Sequence, residues 1–491
     1  MSTSQNNIAR QMNATQRKAI ALQAINRNVT QIARKNQVSR GFVHKQINKA
    51  IQGIQDAFAN VEPTGVLYYI PVTINWIKGL VINLAMHCRA NYRGMQAVLK
   101  DCIDFSTSIG SISNVLNHTA IAANEYNLAQ DLSAVSLGAH DEMFVNNKPI
   151  LAGIDIPSLY CYLLSKENQR DGETWAINLF DLQKQNFKPE RIIADDGSGL
   201  RSGHELALSD IPCDYDNFHI TKDMMELRQF FRNKYRSALT EYLDFSDMAD
   251  DATLDATREK YKDLLPDAYT KLKLYEHIST TINTLISWME HDVFNKPGSQ
   301  VKPRRELFDF ILVEFEKLAD IHPHRIQSLC TKLRNQRDGL LAFVDVLDDK
   351  FLNIAVKYDC SNDLVWEICQ LQRCEYYGDT YHLRSAPLLE DIGEELFDLI
   401  EVDVLAALDS TEKTSAMVEN YNSRIAPYLR LRKGCNQSFL NLLRFYLNHV
   451  PFRRSARTTR VNKSPVEILT GKAHPHWLEM LGYTRFKRVA A

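Results

Sequence analysis

Along most of this 491-residue chain the hydrophobic side chains recur at helical spacing, but over residues 132–219 they alternate at every second position. That switch constrains the fold more than any other feature. Strands satisfy their backbone donors and acceptors only by pairing, so the block has to build a sheet and the helical remainder has to cover it. Within Ala134–Val145 one strand face reads Val135, Leu137, Ala139, Asp141, Met143, Val145. An unpartnered carboxylate on such a face is costly, so Asp141 is either paired or turned to an opening that holds a cation. Asn146–Pro149 supplies a turn, and Ile150–Ile156 and Ser158–Ser165 continue an antiparallel meander. A helix over Gly172–Asn186, with Trp175, Ile177, Leu179, Phe180 and Leu182 as buried candidates, precedes a short apolar strand from Arg191 that ends on Asp195-Asp196-Gly197. A helix at Leu200–Leu208 and a strand at Ile211–Phe218 complete the block.

Three helices are expected in residues 1–60: Ala14–Asn26, Val29–Asn36, and one that Ser39 caps and that runs to about Phe58. Ile32, Ala33, Val38, Val43 and Ile47 are spaced to pack as in a helix-turn-helix. Arg40, His44, Lys45 and Asn48 then stand on the outward face of the last helix, where they suit the major groove of DNA. A small helical bundle with a solvated basic face has the same pattern. Residues 61–131 read as a second helical unit, either another helix-turn-helix or an ordinary linker domain. In its Tyr92–Cys102 and Ser108–Asn124 helices, Ile109, Ile112, Leu116, Ala120 and Ala123 face inward and Ser111, Asn114, Asn117 and His118 outward. Residues 222–410 read as almost wholly helical, through Thr221–Tyr242, Leu254–Leu274, Ile278–Phe294, Arg304–Ile321, Arg325–Leu347 and Cys360–Tyr377.

Charge narrows the partners. The formal net charge of -2 speaks against a polyanion when taken whole, yet it is the sum of +8 over residues 1–60, −21 over 61–410 and +11 over 411–491. Basic ends suit DNA, and the acidic middle is either a solvated surface or a source of metal-binding carboxylates. Nine cysteines without a Cys-x-x-Cys pair offer neither a zinc spacing nor a disulfide framework, which points to a reduced, cytoplasmic setting. Residues 1–25 lack the apolar core of a signal peptide, and Val66–Met86 is interrupted by Pro71, Asn75, Lys78 and Asn83, as a buried helix after a turn is and a membrane span is not.

Three strands, a helix, a strand ending on Asp, a helix and a strand follow the order of an RNase H-like fold. These residues resemble the DDE transposases of bacterial insertion sequences. The resemblance covers about 132–219 and resumes at Val418-Glu419-Asn420-Tyr421-Asn422-Ser423-Arg424 and at Asn462–Gly471, with its Ser-Pro-Val-Glu-Ile-Leu-Thr-Gly run. It implies an α/β, RNase H-like catalytic core with a mixed sheet (132–221 and 411–450), a large all-α insertion (222–410), preceding helix-turn-helix DNA-binding domains and a basic tail (451–491). Asp141, Asp195 and Glu419 fall at the family's catalytic carboxylates, with Asn422 and Arg424 as auxiliary candidates. The gap of 224 positions between Asp195 and Glu419 departs from the simplest members. It is similar to hAT-type and Mutator-like enzymes, in which a Cys-or-Asp-x-x-His motif follows the second Asp. Asp216-Asn217-Phe218-His219 has that form, a strand-end Asp with a capping His being the alternative. Related insertions stack an unpaired base on Trp; for Trp288 and Trp366 the competing role is core.

The chemistry stands apart from the name. Phosphodiester cleavage and transfer need an activated nucleophile and neutralisation of charge on the leaving 3′-oxygen, and two divalent cations about 4 Å apart serve both. Mg²⁺ or Mn²⁺ takes hard oxygen ligands, so Asp141 is assigned as bridging two ions, with Asp195 and Glu419 each on one. Water attack frees a 3′-OH that then attacks target DNA, without a covalent protein intermediate. Asp196 is expected to point away, as the alternate residue of an extended stretch, and Asp155 to be solvated. Arg430, Arg432, Lys433, Arg444, Arg453, Arg454, Arg457, Arg460 and Lys463, interleaved with Phe445, Tyr446 and Phe452, suit sequence-independent phosphate contact. The expectation is a nucleoid-associated DNA transposase acting on terminal inverted repeats and target DNA, as a homodimer or larger assembly, without a membrane partner. A catalytically inactive DNA-binding derivative and a structure-specific nuclease of the same fold are the alternatives.

Overall fold

Capping residues set out the N-terminal unit, residues 1–72. Asn13 Oδ1 accepts from Gln16 N (2.9 Å) ahead of α1 (Ala14–Ala24), Asn28 Oδ1 from Thr30 N (2.9 Å) ahead of α2 (Val29–Lys35), and Ser39 Oγ from Phe42 N (3.1 Å) ahead of α3 (Arg40–Phe58). Ile20, Ala24, Ile32, Ala33, Val38 and Val43 make its core. The structure, a computed structural model, describes residues 9, 11–58, 70–251, 255–375, 378–414, 416–430 and 435–486, except for the side chains at 416, 417 and 419.

The second unit, from Thr73, begins with α4 (Ile74–Met86), α5 (Tyr92–Ile103) and α6 (Ile109–Ala129). The alternating block follows as β1 (Leu137–Val145), β2 (Lys148–Asp155), β3 (Cys161–Lys166), α7 (Gly172–Gln183), β4 (Arg191–Ala194), α8 (Ser198–Leu208) and β5 (Cys213–Tyr215). They form one mixed sheet in the order β3-β2-β1-β4-β5, antiparallel across β3, β2 and β1 and parallel across β1, β4 and β5. A helical segment intervenes: α9 (Asn217–Asp251), α10 (Asp255–Trp288), α11 (Val301–Ile321), α12 (Pro323–Tyr358), α13 (Asn362–Leu371), α14 (Asp379–Ile392) and α15 (Glu394–Ser410). The chain returns through α16 (Ala416–Arg430), α17 (Gln437–His449), α18 (Pro465–Thr470) and α19 (Trp477–Met480).

Each face of the sheet has its own apolar cover. Ala139, Ile150, Ala152, Ile154 and Ile193 pack in one core with α4, α5, α6, α16 and α17. Leu151, Tyr162, Ile192 and Ala194 pack on the other side with Trp175 and Leu179 of α7 and Leu200 of α8. The helical segment encloses a third core around Phe231, Phe308, Phe315, Phe351 and Trp366. Its entrance and exit meet, because Asn217 N donates to Lys413 O (3.3 Å).

Several expectations change. The helices expected within residues 61–131 pack with the sheet: Val81, Ile82, Met86, Met95, Leu99, Ile112 and Leu116 of α4, α5 and α6 are buried in one of its cores, and residues 61–69 lie outside the described residues. Ile109, Ile177 and Phe180 are exposed, on the sides of α6 and α7 turned from that packing. The expected break between Leu274 and Ile278 is absent, since Leu272, Ile278, Ile282 and Leu285 continue one buried stripe along α10. Asp155 is buried and not solvated: it accepts from Ser136 N (3.2 Å) and Ser158 N (2.9 Å) at the β2 turn. Among the described residues no helix is long and apolar enough to cross a membrane.

Candidate active site

The parallel ladder between β1 and β4 ends at the pair His140 and Ala194. The residues that follow, Asp141 on β1 and Asp195 just past the end of β4, therefore stand where the two strands part, at the carboxyl edge where open α/β sheets bind ligands. Both line one cleft of about 700 Å³, with Glu142, His219, Asn422 and Arg430. These side chains come from β1, the end of β4, the start of α9 and the length of α16.

Asp141 is held at both oxygens. Oδ1 accepts from Glu142 N (2.7 Å), and Oδ2 from Asn422 Nδ2 (2.6 Å) in a buried hydrogen bond. The carboxylate is thus paired, and it also lines the opening. Asp195 Oδ1 accepts from Gly197 N (3.0 Å), which turns the chain sharply into α8. Its backbone is fixed by Arg201, whose guanidinium donates to Asp195 O (2.8 Å), Ala194 O (2.6 Å), Cys213 O (2.7 Å) and Asp214 O (3.0 Å) and lies 3.8 Å over the Tyr215 ring. Asp196 is exposed and absent from the cleft wall.

Asp216 is buried, and its Oδ2 meets His219 Nδ1 at 2.7 Å, while Oδ1 accepts from Phe218 N (2.9 Å). The hydrogen bond that His219 donates to Asp216 raises the His219 pKa above its ordinary value; burial opposes this, and the charges of Asp216, Asp141 and Asp195 reinforce it. Asp216 thus accepts from the first turn of α9, and His219 lines the cleft. Arg424 is turned to the Tyr421 and Phe452 rings, at 5.9 and 5.6 Å, outside the cleft wall.

Position 419 lies on α16, one turn before Asn422; its side chain is outside the described residues, as are Arg432 and Lys433. Arg430, Arg453 and Arg454 are exposed, as are Arg40, His44, Lys45 and Asn48 on α3. Other members of the tail set have structural partners. Arg457 donates to Glu412 (2.7 Å), Arg444 to Cys161 O (3.0 Å), and Arg460 to Ile156 O (3.1 Å) and Pro157 O (2.6 Å). Trp366 is fully buried, with its Nε1 donating to Asp348 (2.8 Å), whereas Trp288 is partly exposed beside Phe310.

Sequence reasoning missed Arg201, and also Glu142, which accepts from Arg170 (2.9 Å) and from Trp175 Nε1 (2.9 Å) at the cleft edge. The available signal was a second carboxylate beside Asp141 on β1 and a basic residue in the first turn after the glycine turn. Among the described residues no group of three or more His, Cys, Asp or Glu side chains is arranged to hold a metal. The described donors nevertheless suit a hard cation: two carboxylates, and Asn422 Oδ1, which is buried without a hydrogen-bond partner among the described residues. No protein-family model matches the chain, and a search of curated proteins finds no match.

Proposed function

We propose that this chain is a metal-dependent polynucleotidyl transferase, a DNA transposase on an RNase H-like core with an N-terminal helix-turn-helix. The observation that carries this reading is the convergence of Asp141 and Asp195 at the end of one parallel ladder, in a cleft shared with Asn422 of the helix that carries Glu419. The sheet order, an antiparallel meander extended by two parallel strands, supports the RNase H-like reading. So does the chain's return to its point of departure across the helical segment.

Asp141, Asp195 and Glu419 are the residues that would hold Mg²⁺ or Mn²⁺, two ions per site, with Asn422 Oδ1 as a neutral oxygen beside them. Such ions, when bound, supply positive charge to a phosphodiester and to its leaving 3′-oxygen. The chain does the rest. Asn422 and the Glu142 amide orient the Asp141 carboxylate, and Arg201 fixes the Asp195 backbone. His219, held by Asp216, keeps a proton near the cleft, and Arg430 offers a cation to DNA phosphate at its wall. The exposed residues of α3 read the element ends, and the active species is a dimer or larger assembly acting on the nucleoid.

The test is cleavage and joining of DNA that flanks the coding sequence, with and without Mg²⁺. Asp141→Asn and Asp195→Asn are expected to lose both activities by at least about a thousandfold, at a scale typical of essential groups, while still binding DNA. Variants that cut like the parent sink the proposal, and cutting without joined products identifies a nuclease.

A further inference from the structure

Beyond His219, helix α9 carries arginines at 228, 232 and 236, four residues apart and therefore on one helix face. That face is one wall of a cleft of about 720 Å³; Ser279, Thr280 and Asn283 of α10 stand on the other. Arg232 and Arg236 are exposed, and Arg228 is half-buried. Among the described residues the cleft's one lining carboxylate, Glu276, pairs with Lys273 (2.8 Å), and Glu290 meets Arg228 at 3.5 Å. Acidic residues outnumber basic ones by 36 to 23 over residues 222–410, so three arginines on one wall are a local concentration against the trend.

Each four-residue step advances a guanidinium by about 6 Å along the axis, which makes a ladder of cations and not a ring closing on one point. A compact anion needs donors that converge; a ladder suits a chain of phosphates. Hydroxyl and amide donors on the facing helix are of the kinds that contact phosphate without reading sequence. Because α9 runs unbroken from His219, the three arginines lie about 14, 20 and 26 Å along the axis from it, within about one duplex turn of 34 Å.

We propose that the α9–α10 cleft binds the phosphate backbone of DNA independently of sequence, as a second hold on the nucleic acid engaged at the active-site cleft. The inference rests on the reading of the chain as a DNA-processing enzyme. Its test is binding of the full chain to duplex DNA of unrelated sequence, without divalent metal, by fluorescence anisotropy across a salt series. The parent is compared with an Arg232→Ala/Arg236→Ala double variant and with the corresponding double Lys variant. Each phosphate contact contributes about 0.9 to the slope of log K against log salt. The alanine variant is expected to lose about 1–2 units of slope and at least about tenfold in affinity at low salt, and the lysine variant to keep the slope. A parent-like slope in the alanine variant overturns the proposal, and so does an equal loss in the lysine variant. Saturation of the cleft by submillimolar inorganic phosphate, with the DNA slope unchanged, also overturns it in favour of a small-anion site. The assay involves no cleavage. An arginine-dependent slope in a parent that never cuts leaves the cleft standing without the proposed reaction, and an Asp141→Asn defect beside an unchanged slope does the reverse.

Discussion

Asp141 occupies an apolar strand face because two donors reach it there, and one of them comes from 281 positions further along the chain. Asn422→Ala removes that donor from a buried carboxylate. Since outer partners of metal ligands typically contribute 10–100-fold in metal affinity or activity, the variant is expected to need about that much more Mg²⁺ for half-maximal cleavage. A Mg²⁺ titration of DNA cleavage checks this. Two histidines away from the cleft carry a pH dependence of stability. Burial pushes His204 and His449 down to about 4, whereas in an unfolded chain they titrate near 6.5. Between these values the unfolded state binds protons that the folded state refuses, so this stabilisation is complete above pH 6.5 and falls as the pH drops to about 4. Each contributes on the order of 3 kcal/mol over that window. Urea unfolding from pH 7 to 4 is expected to show the fall, and a His204→Gln/His449→Gln variant to show a shallower one.

At the scale of elements, the helices beside the sheet decide where the β4 aspartate sits. A Cβ at Gly203 of α8 would meet Trp175 Cβ at 2.3 Å and Gly172 O at 2.8 Å, so α7 and α8 cross with no room for a methyl group. Gly203→Ala must push α8 away from α7, at a cost of about 1–3 kcal/mol for overpacking. Arg201 is two residues away on α8 and ties down the Asp195 backbone, so the same change is expected to lower cleavage as well as the melting temperature. Loss of stability with full activity would break the link between helix position and site. The Ser-Pro-Val-Glu-Ile-Leu-Thr-Gly run has a local explanation of its own. Ser464 and Glu467 form a reciprocal capping box at the start of α18, and Gly471 ends it at φ +69°. Helix caps depend on a few adjacent residues, which is why Ser39 was readable as a start, and Asn13, Asn28 and Ser464 cap their helices by the same local rule.

At the scale of the whole molecule, the chain divides at Val72. Removal of residues 1–72 is expected to leave the melting transition of residues 73–491 within a few degrees of the parent and to abolish preference for element-end DNA over unrelated duplex. Calorimetry and competition binding measure the two parts separately. A collapse of the main transition would mean that the N-terminal unit is needed for the fold of the rest. The segmental charges were also visible without coordinates, but their use was not: of the tail arginines, Arg444 and Arg460 bind buried carbonyls and Arg457 an acidic neighbour. By itself the sequence determined what depends on near neighbours, namely the change of hydrophobic period, the helix starts, and the placing of Asp141 on an apolar face and Asp195 at a strand end. Only the tertiary structure decided that α4, α5 and α6 share the core of the sheet, that Asn422 closes on Asp141, that Arg201 locks the two parallel strand ends, and that α9 and α10 enclose an arginine-lined cleft. Those are contacts between distant segments, and spacing along the chain carries no record of which surfaces will meet.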